Sequence, residues 1–401
     1  MTNEQLMQQL VDKGIISSGA LSGGGKLNPQ QADQFIDYVF DETGLKGKVR
    51  TIKFDPEQLV IDKIGVGKRV AAPAEEGSDP KIRRGVNTSK VVLQPVELIV
   101  PFEITDDFRQ LNIEGDGVED TIMKMFATAF ANDVEDLQLN GDLLGQAALE
   151  SDLYDGGDAT RYIKDTYLAK LNGWMRLADD AHIYDAADAD ISPGIFSGMI
   201  NAMPNKFKRN RNMLKFFSST GLEQNYRQKV STRATGAGDV ALSTTQNLTP
   251  FGVELVPLSL LNFFPTIVEH VTLTGTDTIN LRYKPIADEI VLPADLYKTP
   301  ETPYVEGTDY TIDLVNGTIT RIATGAIAAG ATVKVTYSAN PQLLLTEYRN
   351  LIIGIGRDVR VETDRDIFKR VDQFVMTVKV AVTWEETDAV VKGINIGPDV
   401  S

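Results

Sequence analysis

The chain of 401 residues has no cysteine and only two histidines, and these shortages exclude several kinds of chemistry. Without cysteine there are no disulfides, no thiolate nucleophile and no Cys-based zinc site. A Ser-His-Asp triad would have to use His182 or His270, and neither lies in a Gly-x-Ser-x-Gly context. We therefore predict that both histidines are structural or surface residues. We expect no enzyme activity and no catalytic, cofactor-binding or metal-binding residues.

Long apolar runs and an excess of positive charge are also missing. No apolar segment approaches the ~20 residues that a membrane-spanning helix needs, and residues 1–4 have neither the basic nor the apolar part of a secretory signal. The 40 basic side chains are outnumbered by 56 acidic ones, which gives a net charge of -16. Because general binding to nucleic acid needs a basic surface, a protein of this charge that meets DNA would enclose it rather than grip it.

Two clusters of aspartate lack the spacing of an EF-hand calcium loop, which needs Asp-x-Asp-x-Asp-Gly and a distant Glu. Their members are Asp152, Asp155 and Asp158 in one cluster, and Asp185, Asp188 and Asp190 in the other. We favour solvated loops for both clusters over a loose cation site.

The clearest positive signal is a long amphipathic helix over residues 118–139. Asp116 is a good N-cap and Glu119 completes a capping box, while Asn140-Gly141 supplies a stop. At about 1.5 Å per residue the helix would be roughly 33 Å long. Its apolar residues recur in steps of four, three and one, which predicts one buried stripe. They are Val118, Ile122, Met125, Phe126, Ala129, Phe130, Val134 and Leu137.

Just before this helix, residues 59–105 predict a long two-stranded arm. Apolar residues line both strands, and residues 72–80 between them are rich in Pro, Ala, Glu and Gly, which predicts a solvated tip. A small monomeric enzyme rarely has such a projecting arm, whereas a subunit that must reach over its neighbour does.

The remaining pattern predicts helices interrupted by a β-rich segment. We expect helices over residues 159–181, 193–204 and 222–230, and strands over residues 213–218 and 251–257. Residues 271–337 are rich in Thr, Val and Ile and alternate as strands do. Within them, Asn316-Gly317 predicts a two-residue hairpin between residues 310–314 and 318–322.

A long strand near the end of the chain presents one apolar face, which consists of Phe374, Met376, Val378, Val380, Val382 and Trp384. Six alternations span roughly 33 Å at about 3.3 Å per residue. This length matches that of the long helix, so the two elements could lie against each other along their whole course.

Three short motifs follow the polar N-terminal segment and the arm in a characteristic order. They are residues 130–142 at the end of the long helix, Pro250-Phe251-Gly252 with Leu255-Val256-Pro257-Leu258, and Gly354-Ile355-Gly356-Arg357-Asp358-Val359 with Glu362-Thr363-Asp364-Arg365-Asp366. In their order and spacing the residues resemble the major capsid proteins of tailed bacteriophages, which have the Hong Kong 97-type fold. The resemblance covers nearly the whole chain except a β module at about residues 268–341.

The resemblance implies an α+β Hong Kong 97-like capsid fold. Such a fold has an N-arm, an E-loop hairpin, a peripheral domain with a long spine helix and long β-strands, and an axial domain, to which this chain adds a small all-β module. The implied division is residues 1–56 for the N-terminal arm, 57–103 for the E-loop, 104–144 and 371–401 for the peripheral domain, 145–267 and 342–370 for the axial domain, and 268–341 for the inserted β-rich, Ig-like domain.

The resemblance also implies a structural function. The chain is expected to assemble with itself as hexamers and pentamers into an icosahedral shell that encloses the double-stranded DNA genome of a tailed phage without sequence-specific binding. Assembly would take place in the host bacterial cytoplasm and yield a virion. Expected partners besides further copies are a portal protein and scaffolding, decoration or cement proteins. Two alternatives stay open, namely the shell of an encapsulin-like nanocompartment and a phage tail or baseplate protein.

Candidate contacts between subunits lie on the arm and in one basic stretch. On the arm they are Lys63, Lys68, Glu75, Glu76, Lys81, Arg83 and Arg84, and in the basic stretch they are Lys206, Lys208, Arg209 and Arg211. The basic stretch could contact packaged DNA, but the acid excess elsewhere favours carboxylates of a neighbouring subunit. We expect the arm and residues 1–27 to be mobile in an isolated subunit and ordered in the shell, and we predict no covalent crosslink.

Overall fold

The structure is a computed structural model that describes residues 15–16, 49–53, 59–65, 87–107, 118–154, 156–233, 246–293 and 302–397. In this part of the chain, no helix combines the length and the apolar character needed to cross a membrane. The predicted N-cap at Asp116 and most of the predicted N-terminal arm lie outside the described residues.

The elements are numbered here in chain order. The strands are β1 (Ile15–Ile16), β2 (Arg50–Lys53), β3 (Leu59–Gly65), β4 (Asn87–Leu93), β5 (Val96–Thr105), β6 (Ala147–Leu149), β7 (Tyr162–Lys164), β8 (His182–Asp185), β9 (Leu214–Ser219), β10 (Glu254–Leu258), β11 (Thr266–Leu273), β12 (Thr278–Asn280), β13 (Pro285–Pro293), β14 (Tyr310–Asp313), β15 (Thr318–Arg321), β16 (Ala331–Ala339), β17 (Leu343–Glu347), β18 (Leu351–Asp366), β19 (Val371–Trp384) and β20 (Val390–Ile394). The helices are α1 (Val118–Asn140), α2 (Glu150–Leu153), α3 (Trp174–Leu177), α4 (Pro193–Ala202) and α5 (Thr220–Ser231). Short 3-10 turns lie at Leu168–Lys170, Ala178–Asp180, Arg211–Met213, Pro250–Gly252, Tyr348–Asn350 and Thr387–Ala389.

Helix α1 confirms the long helix predicted over residues 118–139 and ends one residue later, at Asn140. After it, the N–H of Gly141 donates to the carbonyl oxygen of Leu137 at 3.0 Å. A Cβ atom at Gly141 would lie 2.5 Å from that oxygen and 2.6 Å from the carbonyl oxygen of Leu171. Two backbone segments therefore approach each other here in a way that only glycine permits.

A five-stranded sheet in the order β1-β5-β19-β18-β2 packs against α1. β19 pairs antiparallel with both β5 and β18, while β1 and β2 pair parallel at the two edges. Between sheet and helix, the ring of Phe102 stacks on Phe126, with centroids 4.4 Å apart, and on Phe374 at 4.9 Å. The face of the last long strand that the alternation predicts to be apolar is thus the face that packs toward α1.

Strands β3 and β4 form the base of the predicted arm and pair antiparallel over their whole length. Leu93 at the end of β4 packs in a buried cluster with Ile352 and Ala381, and Ile61 lies against that cluster. The arm is therefore anchored on the first sheet. Residues 66–86, which contain the predicted tip, lie outside the described residues.

A second five-stranded sheet has the order β10-β9-β17-β20-β8. On one face, the ring of Phe196 from α4 lies 4.9 Å from Phe216 of β9 and 4.6 Å from Tyr226 of α5. On the other face, Trp174 of α3 and Trp384 of β19 share a buried cluster, with ring centroids 6.3 Å apart. Because Trp384 belongs to the first sheet, this cluster joins the two sheets.

Strands β11 to β16 form two three-stranded sheets, β11-β16-β13 and β12-β15-β14. The predicted hairpin is present as β14 and β15, but four residues lie between the paired strands. Asp313 Oδ1 accepts the backbone N–H groups of Val315 at 3.0 Å and Asn316 at 3.1 Å. Gly317 has a φ of 64°, which glycine adopts without steric cost. The aspartate turn therefore lengthens the loop beyond the two residues predicted.

The helix predicted over residues 159–181 is wrong. The segment contains β7, two 3-10 turns and the four-residue helix α3. The side chain of Asp165 accepts two following backbone N–H groups at 2.9 and 3.2 Å, a turn that competes with a helix. The N–H of Gly173 then donates to the carbonyl oxygen of Gly141 at 2.7 Å. Local side-chain bonds and tertiary packing therefore override the apolar periodicity.

Strand pairing departs from the predicted division of the chain at two places. β18 has 16 residues and pairs with β19 in the first sheet, whereas the division assigns residues 342–370 to the axial domain. β20 joins the second sheet between β17 and β8, whereas the division assigns residues 371–401 to the peripheral domain. All five residues of β20 are buried, which suits an interior strand. The long β18–β19 hairpin keeps both of its strands in one sheet because only a four-residue turn connects them.

Candidate assembly surfaces and buried charges

The turn between β18 and β19 exposes two large apolar side chains. Ile367 is 77% exposed and Phe368 is 101% exposed. Asp366 Oδ1 accepts the backbone N–H groups of Phe368 at 3.0 Å and Lys369 at 3.1 Å, and Arg370 has a φ of 54°. A hydrogen-bonded turn thus holds both apolar side chains in solvent. We call Ile367 and Phe368 the hairpin tip.

Ion pairs brace the strands below the hairpin tip. The guanidinium of Arg365 lies 2.9 Å from a carboxylate oxygen of Asp106 and 3.6 Å from one of Asp372. The ammonium of Lys369 lies 3.8 Å from Asp366. Because these charges are paired, the hairpin tip offers apolar contact rather than net charge. Contiguous exposed apolar patches mark protein interaction sites, and the two adjacent side chains of the hairpin tip are a candidate for such a contact.

One face of the arm base is also open to solvent. Val60 and Val92 stand opposite each other on β3 and β4 and are 43% and 44% exposed. The next pair on this face is Asp62 opposite Lys90. Lys63, one of the predicted contacts, is half-buried in β3. The remaining predicted contacts on the arm lie outside the described residues, and these are Lys68, Glu75, Glu76, Lys81, Arg83 and Arg84.

The predicted basic stretch lies at one end of the second sheet. β9 and β10 are parallel, with Lys215 opposite Glu254, so the segments that precede both strands meet at the same end. The 203–213 segment carries the basic stretch, and the other segment carries Phe251. Topology therefore places an aromatic side chain beside the predicted cations, which sequence spacing alone does not indicate.

The four cations of the basic stretch differ in their partners. Lys206 lies 3.6 Å from Asp388, with both side chains mostly exposed. Lys208 donates to the carbonyl oxygen of Asn201 at 2.9 Å. Among the described residues, no carboxylate lies within ion-pair distance of Lys208, Arg209 or Arg211. These three residues, which we call the basic edge, therefore carry uncompensated positive charge.

Phe251 at the basic edge has a strained backbone. Its φ is 53°, and its side chain is 48% exposed. A guanidinium N–H of Arg211 donates to the carbonyl oxygen of Phe251 at 3.2 Å. A bulky residue rarely adopts the left-handed conformation, and such strain is often found at functional sites.

Among the described residues, a patch of unpaired negative charge lies on α1 and on the segment that follows β7. Partial burial and the charge of Asp136 raise the pKa of Asp133. Burial raises the pKa of Asp136, while a hydrogen bond from Asn140 acts against it and the charge of Asp165 adds to it. Over the described chain, no basic side chain forms an ion pair with these three aspartates. We call Asp133, Asp136 and Asp165 the acidic patch.

Burial and the charges of the acidic patch also raise the pKa of Tyr167 beyond its usual range. The hydroxyl of Tyr167 is buried and has no hydrogen-bond partner in the described part of the chain. Like charges are therefore held together here without a cation.

A buried ion pair connects the second sheet to the β-rich segment. The ammonium of Lys392, on β20, donates to Asp179 at 2.6 Å, to the carbonyl oxygen of Met175 at 2.9 Å and to the hydroxyl of Tyr283 at 2.9 Å. The Tyr283 hydroxyl also donates to Asp179. All three ammonium protons of Lys392 thus have an acceptor, which a buried charge requires.

Asp179 is the centre of this network. Arg176 donates to its carboxylate at 3.1 Å, and Arg282 lies 3.6 Å away. Burial alone would raise the pKa of Asp179, but Lys392, Tyr283 and Arg282 hold it below its ordinary value. The carboxylate therefore stays charged and binds three cations, of which Arg282 and Lys392 come from distant parts of the chain.

Lys334 is as buried as Lys392 but lacks such partners. It is 1% exposed, and its ammonium has no hydrogen-bond partner among the described residues. Two residues along β16, the hydroxyl of Thr336 accepts the backbone N–H of Ala147 at 3.4 Å. Burial and the charge of Lys164 lower the pKa of Lys334 to about 8, although Asp142 acts in the opposite direction.

The sequence prediction missed the hairpin tip and both buried lysines. An apolar pair at the turn between two alternating strands, Ile367-Phe368, is a signal that could have indicated the tip. Lys392 lies within an apolar run, Val390 to Ile394, which predicts a buried strand and therefore a buried charge. No comparable signal identifies Asp179 as its partner, because 213 residues separate the two. Within the described ranges, no cluster of His, Asp and Glu could hold a metal ion.

The chain was compared with known proteins. No family model matches it. It is 29% identical over 391 residues to the putative prophage capsid protein YqbE of Bacillus subtilis, a match that covers 97% of this chain and 98% of the relative. Its fold is similar to a chain of the satellite phage P4 procapsid including size determination (Sid) protein, at 8% identity and a TM-score of 0.50, over 99% of this chain and 98% of that chain. A tail sheath protein of Burkholderia phage BcepMu is 54% identical over 54 residues, which are 13% of this chain and 11% of that protein.

These comparisons confirm the resemblance to phage capsid proteins. The mixed helix-and-sheet fold is one found in a phage procapsid, and the sequence is similar over nearly its whole length to a prophage capsid protein. The similarity to the tail sheath protein is confined to a short segment.

Proposed function

We propose that this chain is the major subunit of an icosahedral shell, which assembles as hexamers and pentamers around the double-stranded DNA genome of a tailed phage. The single observation that carries the proposal is the hairpin tip, where Phe368 is fully exposed on a fixed turn. An isolated subunit gains nothing from such a side chain, whereas a neighbour would bury it. The relationship to a prophage capsid protein supports the same function.

Assembly would be driven by repeated contacts between identical subunits. Head-to-tail contacts close into rings when the rotation between neighbours closes. The arm would lie over the adjacent subunit and bury Val60 and Val92. The N-terminal arm, residues 1–56, would reach under a different neighbouring subunit. Each contact can be weak, because many act together at high effective concentration. An interface of ~800 Å² per partner is typical of stable association, and much of its hydrophobic gain is lost in ordering the chain.

The predicted domains then have distinct tasks. The peripheral domain would contain α1 and the β18–β19 hairpin, and the axial domain would contain the second sheet. The β-rich segment at 268–341 would be an inserted domain, joined to the axial sheet by the network around Lys392. Acidic groups that face the lumen would keep DNA from adhering to the wall.

The test is to express the chain and image the purified particles. We expect the expressed chain to form closed particles. Particles recovered from infected cells should also protect double-stranded DNA from nuclease. Phe368→Ser should leave the subunit folded and abolish closed particles. Val315→Ser is the matched control, because Val315 is also exposed, at 78%, on a different hairpin.

Other outcomes would contradict the proposal. Particles with one enzyme as cargo would indicate a nanocompartment, and tubes or open rings would indicate a tail protein. A monomer at high concentration, with intact fold, would refute a shell function altogether.

A further inference from the structure

Two surfaces of the chain carry charge that the described residues leave unpaired. The basic edge has three cations without a carboxylate, and the acidic patch has three carboxylates without a cation. No ion pair or hydrogen bond joins the two surfaces within the described chain. They are carried by different elements, namely the segment before β9 and the helix α1 with the segment after β7.

We propose that the basic edge of one subunit docks on the acidic patch of α1 in a second copy of this chain. The inference rests on the shell function proposed above and names the partner surface of the predicted basic stretch. Arg209 would be the leading cation, since it is exposed and forms no hydrogen bond in the described chain. Asp133 would be its main partner, because it is the most accessible of the three carboxylates.

The chemistry favours a second copy over nucleic acid. Three cations are few for binding a phosphate backbone, and the chain as a whole has a net charge of -16. A docked cation stabilises a cluster of carboxylates that has no counter-ion more than it stabilises a surface whose charges are already solvated. Phe251, whose carbonyl oxygen accepts from Arg211 and whose side chain is 48% exposed, adds apolar contact area at the basic edge.

The contact would also have the right symmetry. The two surfaces differ, so an interface between them is heterologous and joins subunits head to tail. Such interfaces generate rings, as hexamers and pentamers require. Contacts between exposed charges act mainly on association rate and partner choice, so assembly should weaken as salt is raised.

Charge reversal tests the pairing directly. Arg209→Glu alone and Asp133→Lys alone should each reduce the yield of closed particles at least tenfold, and the double variant should restore most of it. Arg233→Glu is the matched control, because it changes the net charge equally at an exposed position outside the basic edge. It should assemble as the unaltered chain does.

A second measurement covers the case in which a reversed subunit fails to fold. The chain has no cysteine, so Arg209→Cys and Asp133→Cys in one chain provide two unique thiols. A short bis-maleimide should link assembled subunits into ladders up to pentamers and hexamers. Cross-links only within single chains, or none in assembled particles, would overturn the proposal.

The outcomes separate this pairing from the shell function itself. If the unaltered chain forms no closed particles, the shell function fails. If it forms them but the double reversal restores nothing, or the single reversals have no effect, only the pairing is refuted. If Arg209→Glu assembles normally but packages less DNA, the basic edge contacts nucleic acid and the pairing is again refuted.

Discussion

Lys334 and Lys392 are equally buried, at 1% exposure each, but have opposite surroundings. Replacing Lys334 with methionine removes a charge that has no hydrogen-bond partner among the described residues. Replacing Lys392 removes a charge that has three acceptors. Methionine is flexible and fills a lysine-sized space without a charge. We therefore expect the two substitutions to change stability in opposite directions.

The expected gain for Lys334→Met follows from its pKa. A fall from 10.5 to about 8 corresponds to about 3 kcal/mol at pH 7, since one pH unit is about 1.4 kcal/mol. Solvent near the neighbouring charges screens their interaction with Lys334 and reduces this free-energy cost. We expect the free energy of unfolding to rise by about 2 kcal/mol in the variant.

Lys392→Met is the matched control. Removing one partner of a buried ion pair typically costs about 3–5 kcal/mol, because the other charge stays buried. Arg176 and Arg282 remain near Asp179 and compensate in part. We expect a loss of about 3 kcal/mol.

The effect of pH provides a second readout. The folded-state pKa of Lys334 is depressed, so the unfolded chain binds more protons between pH 8 and 10.5. Stability of the unaltered chain should therefore rise with pH through this window relative to Lys334→Met. Below pH 8 the full penalty is present, and the difference between the two chains should be constant.

The assay is hydrogen exchange of the peptides that contain β16 and β20, in the isolated subunit, with denaturant as the variable. It reports local stability and does not require the whole chain to unfold in one step. The reasoning would be refuted if Lys334→Met lost stability at pH 7. A pH dependence equal to that of the unaltered chain would refute the electrostatic cause.

Three further predictions concern packing and assembly. Phe102→Ala should cost about 3–5 kcal/mol in denaturant unfolding, because two stacked rings lose their partner; a loss below about 1 kcal/mol would contradict the stacking. Gly141→Ala should cost about 2 kcal/mol, because the new methyl group would clash with two carbonyl oxygens, and an unchanged melting temperature would disprove this. Hydrogen exchange in the arm strands that carry Val60 and Val92 should slow on assembly, and equal protection in subunit and shell would show that the arm is not an interface.

Elements with a strong local period were predictable. The apolar steps along residues 118–139 define helix α1 to within one residue, because a helix that buries one stripe must repeat every three or four positions. The alternation from Phe374 to Trp384 likewise identifies the face of β19 that packs toward α1, although Thr377 and Ala381 on the opposite face are buried as well. The pairing of β3 with β4 was predictable for the same reason, but residues 96–105 of the predicted arm pair with β19 in the first sheet.

Periodicity failed where short-range bonds compete with it. Residues 159–181 have a helical apolar pattern, but Asp165 caps two N–H groups and Gly173 packs against Gly141. The predicted division places β18 with the axial segments and β20 with the peripheral ones, whereas β18 pairs with β19 in the first sheet and β20 pairs with β17 in the second. A strand pattern shows that a segment pairs but does not show which sheet it joins.

By itself, then, the sequence determined the elements with a strong local period, such as α1 and β19, since their apolar spacing follows from neighbours a few residues away. Tertiary structure alone decided that Lys392 meets Asp179 across 213 residues while Lys334 meets no acceptor among the described residues. It also decided that Phe368 stands in solvent. The physical reason is that the free energy of a buried charge or an exposed ring depends on the groups that surround it. Those groups come from distant parts of the chain, and only the folded structure brings them together.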